Sequence, residues 1–245
     1  MEKQEVIFED LGIMAYKEAW DYQEKLLQEN VRRKSAVHSL QSTVSNATIS
    51  TENELTTQHH LLFVEHPPVY TLGKSGNINN VLLSEENLKA RGIDFFRTNR
   101  GGDITFHGPQ QIVGYPILDL EKFYTDIGKY LRNIEEVIIQ TLAEYGIKGD
   151  RSPGETGVWI DPDIKGKERK ICAIGVRSSR WITMHGFALN VNTNLDYFNF
   201  IIPCGIQQKQ VTSIEKESGH KVDFDEAKEK VKRNFEKVFN VELAD

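Results

Sequence analysis

The chain has 245 residues, 39% of them apolar and 27% charged, with a formal net charge of −6. That length fits one large domain or two small ones, and the acidic balance argues against a general nucleic-acid binder. No apolar run approaches the roughly 18 residues of a membrane span, and the charged start, Met1-Glu2-Lys3-Gln4-Glu5, lacks the apolar core of a signal peptide, so a cytoplasmic protein is expected.

Residues 6–8 read as a short strand and 14–28 as a helix, with Tyr16, Ala19, Trp20, Tyr22, Leu26 and Leu27 forming its apolar stripe. Residues 30–58 are rich in Ser, Thr, Asn, Gln and Glu without a sustained period. They read as an exposed flexible insertion, with continuation of the helix as the alternative for the first of them. Residues 61–65 read as a buried strand, stopped by Pro67 and Pro68, which cannot join a regular ladder. Extended structure resumes at 69–72. The following Gly73-Lys74-Ser75-Gly76 invites a phosphate-loop reading, but that signature wants a glycine five residues before Gly73, where Pro68 stands. A surface turn is expected instead. His59, His60 and His66 have no matching Cys or carboxylate cluster to complete a tetrahedral metal site, and read as loop histidines.

The densest stretch is Arg100-Gly101-Gly102-Asp103-Ile104-Thr105-Phe106-His107-Gly108-Pro109-Gln110-Gln111. Adjacent glycines let backbone N–H groups approach a ligand. Arginine offers a fixed fork of donors, and histidine can donate, accept or carry a proton near neutral pH. The bland alternative is a Gly-Gly turn whose histidine caps a strand. The mostly apolar run 112–120 reads as a strand covered on both faces. Residues 126–145 read as a helix capped by Asp126 and ended by Gly146, with a stripe of Ile127, Leu131, Ile134, Ile138 and Leu142. A short strand at 157–160, a charged loop at 161–169 and return strands at 170–176 and 181–192 follow. Asp223 opens a last helix with Ala227, Val231, Phe235, Val238 and Phe239 on one face. With no repeat and no dividing linker, residues 1–245 read as one α/β domain with a central mixed sheet flanked by helices.

The two cysteines, Cys172 and Cys204, are too few for a disulfide scaffold. Cys172 alternates within an apolar strand and is assigned no chemistry. Cys204, between Pro203 and Gly205, is either a nucleophile whose thiol a nearby cation would acidify or an inert buried residue. Lys170, Arg177, His107 and His185 are the available cations.

The 100–111 stretch, followed by Ile-Val-Gly-Tyr-Pro-Ile-Leu-Asp-Leu, resembles the signature of the lipoyl(octanoyl) transferases of lipoate biosynthesis. Glu65-His66-Pro67-Pro68-Val69-Tyr70-Thr71-Leu72-Gly73, Lys170-Ile171-Cys172-Ala173-Ile174-Gly175, His185 to Asn192, Pro203-Cys204-Gly205 and Val211-Thr212-Ser213 resemble further blocks of that family, in order. The resemblance covers the chain from about residue 5 onward. Departures are Gln110 where the family usually has Gly, Cys172 where a small residue is usual, and the longer 30–58 segment.

The resemblance implies the fold of the biotin and lipoate protein ligases and acyl transfer through a Cys–Lys dyad without cofactor or metal. Cys204 would take octanoyl from octanoyl-acyl carrier protein, and Lys170 would acidify the thiol and shuttle protons. The acceptors would be one lysine on the lipoyl domains of 2-oxoacid dehydrogenase E2 subunits or on the glycine cleavage H protein. By family position Arg100, Gly101, Gly102, Asp103, Ile104, Thr105, Phe106, His107, Ala173, Ile174, Gly175, Gly186, Phe187 and Ala188 would line the acyl site. Backbone N–H groups at Gly101, Gly102, Gly186 and Gly205 are candidate oxyanion donors. Arg97, Lys165, Lys167, Arg169, Arg177 and Arg180 could steer the acidic carrier. No nucleic acid or membrane partner is expected. The alternatives are an ATP-dependent lipoate–protein ligase on the same fold, which needs an adenylate site and no thiol, and a non-catalytic acyl-carrier binding module.

Overall fold

The computed structural model describes residues 3–41, 56–202 and 210–244, with 38–41 described by backbone alone. In chain order the strands are β1 (Gln4–Ile13), β2 (His60–Glu65), β3 (Val69–Leu72), β4 (Asp94–Arg97), β5 (Ile104–His107), β6 (Gln111–Ile117), β7 (Gly149–Asp150), β8 (Val158–Ile160), β9 (Arg169–Ser179), β10 (Ile182–Asn190), β11 (Gln210–Val211) and β12 (Val241–Ala244). The helices are α1 (Tyr16–Gln41), α2 (Glu85–Ala90), α3 (Ile127–Ala143), α4 (Ile214–Ser218) and α5 (Phe224–Phe239).

Alternation along the strands builds two cores on one sheet. On β2, Leu61 and Phe63 face one side while Leu62 and Val64 face the other; Ile112 and Val113 divide the same way on β6. Helices α3 and α5 cover the first face and α1 covers the second. All seven residues of β6 are therefore buried, as its apolar run predicts. The order is β12-β1-β2-β6-β10-β9-β8-β7, with β11 alongside β9. β1 runs parallel to β12 and β2, and β2, β6, β10, β9 and β8 are successively antiparallel, so the sheet is mixed. A smaller sheet, β4-β3-β5, has its own core around Tyr70, Leu72, Ile104, Phe106 and Phe198.

The caps agree with the sequence. Asp126 accepts from Lys129 N and Asp223 from Glu226 N. Gly146, at φ 71°, ends α3, with its N–H on Ala143 O and that of Ile147 on Leu142 O. Two expectations need correction. The helix at 14–28 continues to Gln41, so residues 30–41 of the expected insertion are helical. The reason is polar burial rather than an apolar period. Asn30 exchanges two hydrogen bonds with the backbone of Gln58, at 2.7 and 2.8 Å, and Lys34 binds Asp119 and the Arg180 carbonyl, each at 2.9 Å. Residues 42–55 of that expectation lie outside the described residues. Second, of the three expected loop histidines His59 and His66 do lie in loops but His60 opens β2, and all three are buried, His66 held between Met14 O and Tyr115 Oη, both at 2.8 Å. Among the described residues no group of three or more His, Cys, Asp or Glu could hold a metal ion.

Candidate active site

The Arg100–Asp103 turn is built around one guanidinium. Arg100 donates to the carbonyls of Gly101 (2.9 Å), Thr71 (2.6 Å) and Asp103 (2.9 Å), and to Thr71 Oγ1 (2.9 Å). The fork expected to read a ligand thus organises backbone. Asp103 completes the turn: its carboxylate accepts from Ile104 N, Asn77 N and Asn80 Nδ2 at 2.7, 3.2 and 2.6 Å. Against this turn packs Gly73-Lys74-Ser75, whose N–H groups go to the carbonyls of Asp103, Arg100 and Gly102. They have no donors left for a phosphate, which is the physical reason the phosphate-loop reading fails. A Cβ at Gly73 would stand 2.3 Å from Gly102 O, so only glycine fits.

His107 ends β5, 6% exposed. Its Nδ1 lies 3.0 Å from Gln111 Oε1, so Nδ1 carries the proton, and Nε2 accepts from Thr71 Oγ1 at 3.3 Å. Burial, with the charges of nearby His66 and Arg100, holds its pKa well below the usual imidazole value. It is a neutral structural group stacked on Tyr16 (5.9 Å, 10°), not the free proton carrier that its residue type suggests. Gln111 Nε2 passes the network to Asn190 Oδ1 (2.8 Å), and Asn190 Nδ2 to Thr212 O (3.0 Å).

His185 sits within β10 at φ 57°, a strained conformation for a non-glycine residue. Its N–H is held by Gln23 Oε1 (2.9 Å) and its Nε2 faces Asn99 Oδ1 (2.7 Å). Burial first, then the charges of Arg100 and Arg177, pull its pKa down to about 3. At Gly186 the close backbone approach comes from β6: a Cβ would lie 2.1 Å from Gly114 O. At Gly175 the neighbour is Gly101 O, which would stand 2.8 Å from an added Cβ, so β9 lies directly on the Arg-Gly-Gly turn. Gly101 N–H is committed to Val176 O at 2.9 Å and is not an oxyanion donor.

These elements enclose a cavity of about 520 Å³, within the 300–1,000 Å³ range of small-ligand sites. Of the expected lining residues, Arg100, Gly101, Gly102, Asp103, Ile104, Thr105, His107, Ala173, Ile174, Gly175, Gly186, Phe187 and Ala188 border it, and so does Lys170. Phe106 does not; it packs into the small sheet, stacked on Tyr197 at 4.5 Å. Sequence reasoning missed Tyr16, Tyr115, Ile127, Leu131, Glu155 and Thr156 as lining. Ile127 and Leu131 were legible only as one edge of a helix stripe.

Lys170 Nζ donates to Thr156 O at 3.3 Å and lies 4.5 Å from the centre of the Trp159 ring, a cation–π contact. Cys172, two residues on, is fully buried, and burial pushes its thiol pKa well up, so it is inert. Cys204, with Pro203 and Gly205, lies outside the described residues. The chain on either side is anchored. Before it, Ile202 N donates to Asn80 O (2.8 Å). After it, β11 pairs with β9 at Arg169 and Lys170. Arg169 there binds Glu217 through two 2.6 Å bonds and Asp161 through another. Arg169, and Arg177 through Glu24, are therefore paired with acids, which weakens the expected basic patch.

Residues 15–236 match the family model described as the lipoyl protein ligase A/B catalytic domain. The chain is 55% identical over 240 residues to the octanoyltransferase of Christiangramia forsetii, covering 98% of this chain and 97% of that one. It is 56% identical over 236 residues to the octanoyltransferase of Flavobacterium johnsoniae, covering 96% and 97%. Among solved structures it resembles a bipartite lipoate protein ligase of Thermoplasma acidophilum (TM-score 0.67, 16% identity, 99% of this chain and 86% of that one). It also resembles lipoate-protein ligase A bound with ATP (TM-score 0.65, 15% identity, 100% and 88%). These structural likenesses establish the shared ligase-type fold. With the family model spanning most of its length and relatives more than half identical, the chain belongs to the lipoyl protein ligase A/B catalytic-domain family.

Proposed function

We propose that this protein is an octanoyltransferase acting through a thioester on Cys204. The observation that carries the reading is the cavity itself, bordered by β9, β10 and the Arg-Gly-Gly turn, with Lys170 at its wall. Its near full-length relatives are octanoyltransferases. Ile127, Leu131, Ile174, Val113 and Ala188 give the cavity apolar walls for an alkyl chain, where each buried CH₂ contributes about 0.8 kcal/mol.

In the first half-reaction the Cys204 thiolate attacks the thioester carbonyl of octanoyl-acyl carrier protein. The carbon–sulfur bond to the carrier breaks, and the carrier thiolate takes a proton from the Lys170 ammonium. In the second, a lysine amine of a lipoyl domain attacks the Cys204 thioester, Lys170 accepts the proton, and the Cys204 thiolate leaves. The first exchange is nearly balanced in energy and the second, thioester to amide, runs downhill, so no nucleotide is consumed. The acceptors are lipoyl domains of 2-oxoacid dehydrogenase E2 subunits and the glycine cleavage H protein. The protein acts in the cytoplasm, and no described helix is long and apolar enough to cross a membrane.

The test is transfer without ATP: purified protein, octanoyl-acyl carrier protein and an apo lipoyl domain, read by the mass of the lipoyl domain. Octanoylation at one lysine supports the reading. Acceptor modification that requires ATP and free lipoate, with none from the carrier thioester, would replace it with a ligase.

A further inference from the structure

Glu135, on α3, is fully buried and no part of the chemistry above touches it. Its Oε1 accepts the N–H of Gly157 at 3.0 Å. Its Oε2 accepts Arg151 Nε at 3.1 Å and pairs with Arg132 at 2.9 Å. Arg151 and Gly157 are the two ends of one short loop, so a single carboxylate ties down both. That loop presents Glu155 and Thr156 to the cavity, and the Thr156 carbonyl is the one 3.3 Å from Lys170 Nζ. Gly157 cannot be displaced cheaply: φ is 120°, and a Cβ would stand 2.6 Å from Cys172 O on β9. The loop is therefore clamped between a buried carboxylate on the helix and the strand that carries Lys170.

We infer that Glu135 is a positioning residue: through Gly157 and Thr156 it sets where the Lys170 ammonium sits, and so how strongly that charge acidifies the nucleophile. This rests on the Cys204–Lys170 reading above. The charged and titratable groups around the device are Arg132 and Glu136 on its own helix, Arg151 and Glu155 on the loop, and Lys170 and Cys172 on β9, with Arg151 donating to Glu136 as well at 2.7 Å. A structural staple would lower stability when removed and leave the thiol's ionisation alone. A positioning residue moves that ionisation, and does so only while Lys170 is present.

The experiment is the pH dependence of Cys204 alkylation by iodoacetamide, located by peptide mass, in the full-length protein. Wild type, Glu135→Gln, Lys170→Met and the double variant are compared, with thermal melts alongside. The wild-type midpoint is expected below the ordinary thiol value of about 8.5, and Lys170→Met is expected to raise it. Glu135→Gln is expected to raise it by about one unit, and the double variant to match Lys170→Met, the non-additivity of residues acting through one group. Should Glu135→Gln not fold, Arg132→Gln, which removes one of the partners holding the carboxylate, is expected to shift the midpoint the same way by less. A midpoint unchanged in Glu135→Gln, beside a clear shift in Lys170→Met, overturns this inference and leaves the dyad standing. An ordinary wild-type midpoint that Lys170→Met does not move overturns the dyad and this inference with it.

Discussion

Buried histidines make this fold sensitive to acid, and the size of the effect can be worked out. Burial pulls His59 and His66 down to about 4 and His185 down to about 3, against 6.5 for an unperturbed imidazole. In the unfolded chain these rings take up protons as pH falls through 6.5, while in the folded chain they stay neutral until about 4. Between those values the unfolded state binds more protons, so stability is present above pH 6.5 and is lost as pH falls toward the folded values. From pH 7 to pH 5 each ring costs about 1.8 kcal/mol, and the three together about 5–6 kcal/mol. That is of the order of the whole stability of a typical domain, about 5–15 kcal/mol. His60 and His107 shift in the same direction and add to it. The assay is urea unfolding at pH 7, 6 and 5, with His59→Gln to remove one contribution. The expected result is a steep fall in the unfolding midpoint, reduced in the variant. A loss below about 2 kcal/mol between pH 7 and pH 5 would show that these rings do not fold neutral and buried.

Two further outcomes follow from the turn at the cavity wall. Arg100→Lys puts one ammonium where a planar fork serves four acceptors; it is expected to cost about 2–4 kcal/mol, since stranded buried acceptors cost about 1–3 each, and chemical denaturation would read it. Gly175→Ala places a Cβ about 2.8 Å from Gly101 O; octanoyl transfer is expected to fall well over tenfold because β9 and the turn must separate, and near wild-type turnover would contradict the packing described.

The fold was largely legible because its signals are local and physical. The apolar run at 112–120 became a strand buried on both faces, and Asp126, Gly146 and Asp223 took the helix-end positions their chemistry suits. The end of α1 was not legible, because it is fixed by Asn30 and Lys34 reaching partners 28 and 85 residues away. Most of the expected lining converged on one cavity because the motifs sit on neighbouring strands: β10 pairs with both β6 and β9. What the motif could not convey is division of labour. Arg100, Asp103 and His107 look like ligand-readers by residue type, yet the hydrogen bonds of Arg100 and Asp103 go mainly to backbone and those of His107 to the Thr71 and Gln111 side chains. Tyr16 borders the cavity from a helix 84 residues before Arg100, and its local sequence marks it only as part of that helix's apolar stripe. Glu135 reads as an ordinary helix glutamate until Arg151 and Gly157 fold back onto it.

An octanoyl thioester on Cys204 is visible in the intact mass of the protein. The protein is mixed with octanoyl-acyl carrier protein and no acceptor, with Cys204→Ser and Cys172→Ser alongside. One octanoyl group is expected on the wild type and on Cys172→Ser, removable by hydroxylamine, and none on Cys204→Ser. An adduct that survives Cys204→Ser, or full acceptor octanoylation by that variant, would contradict the Cys204 acyl-enzyme.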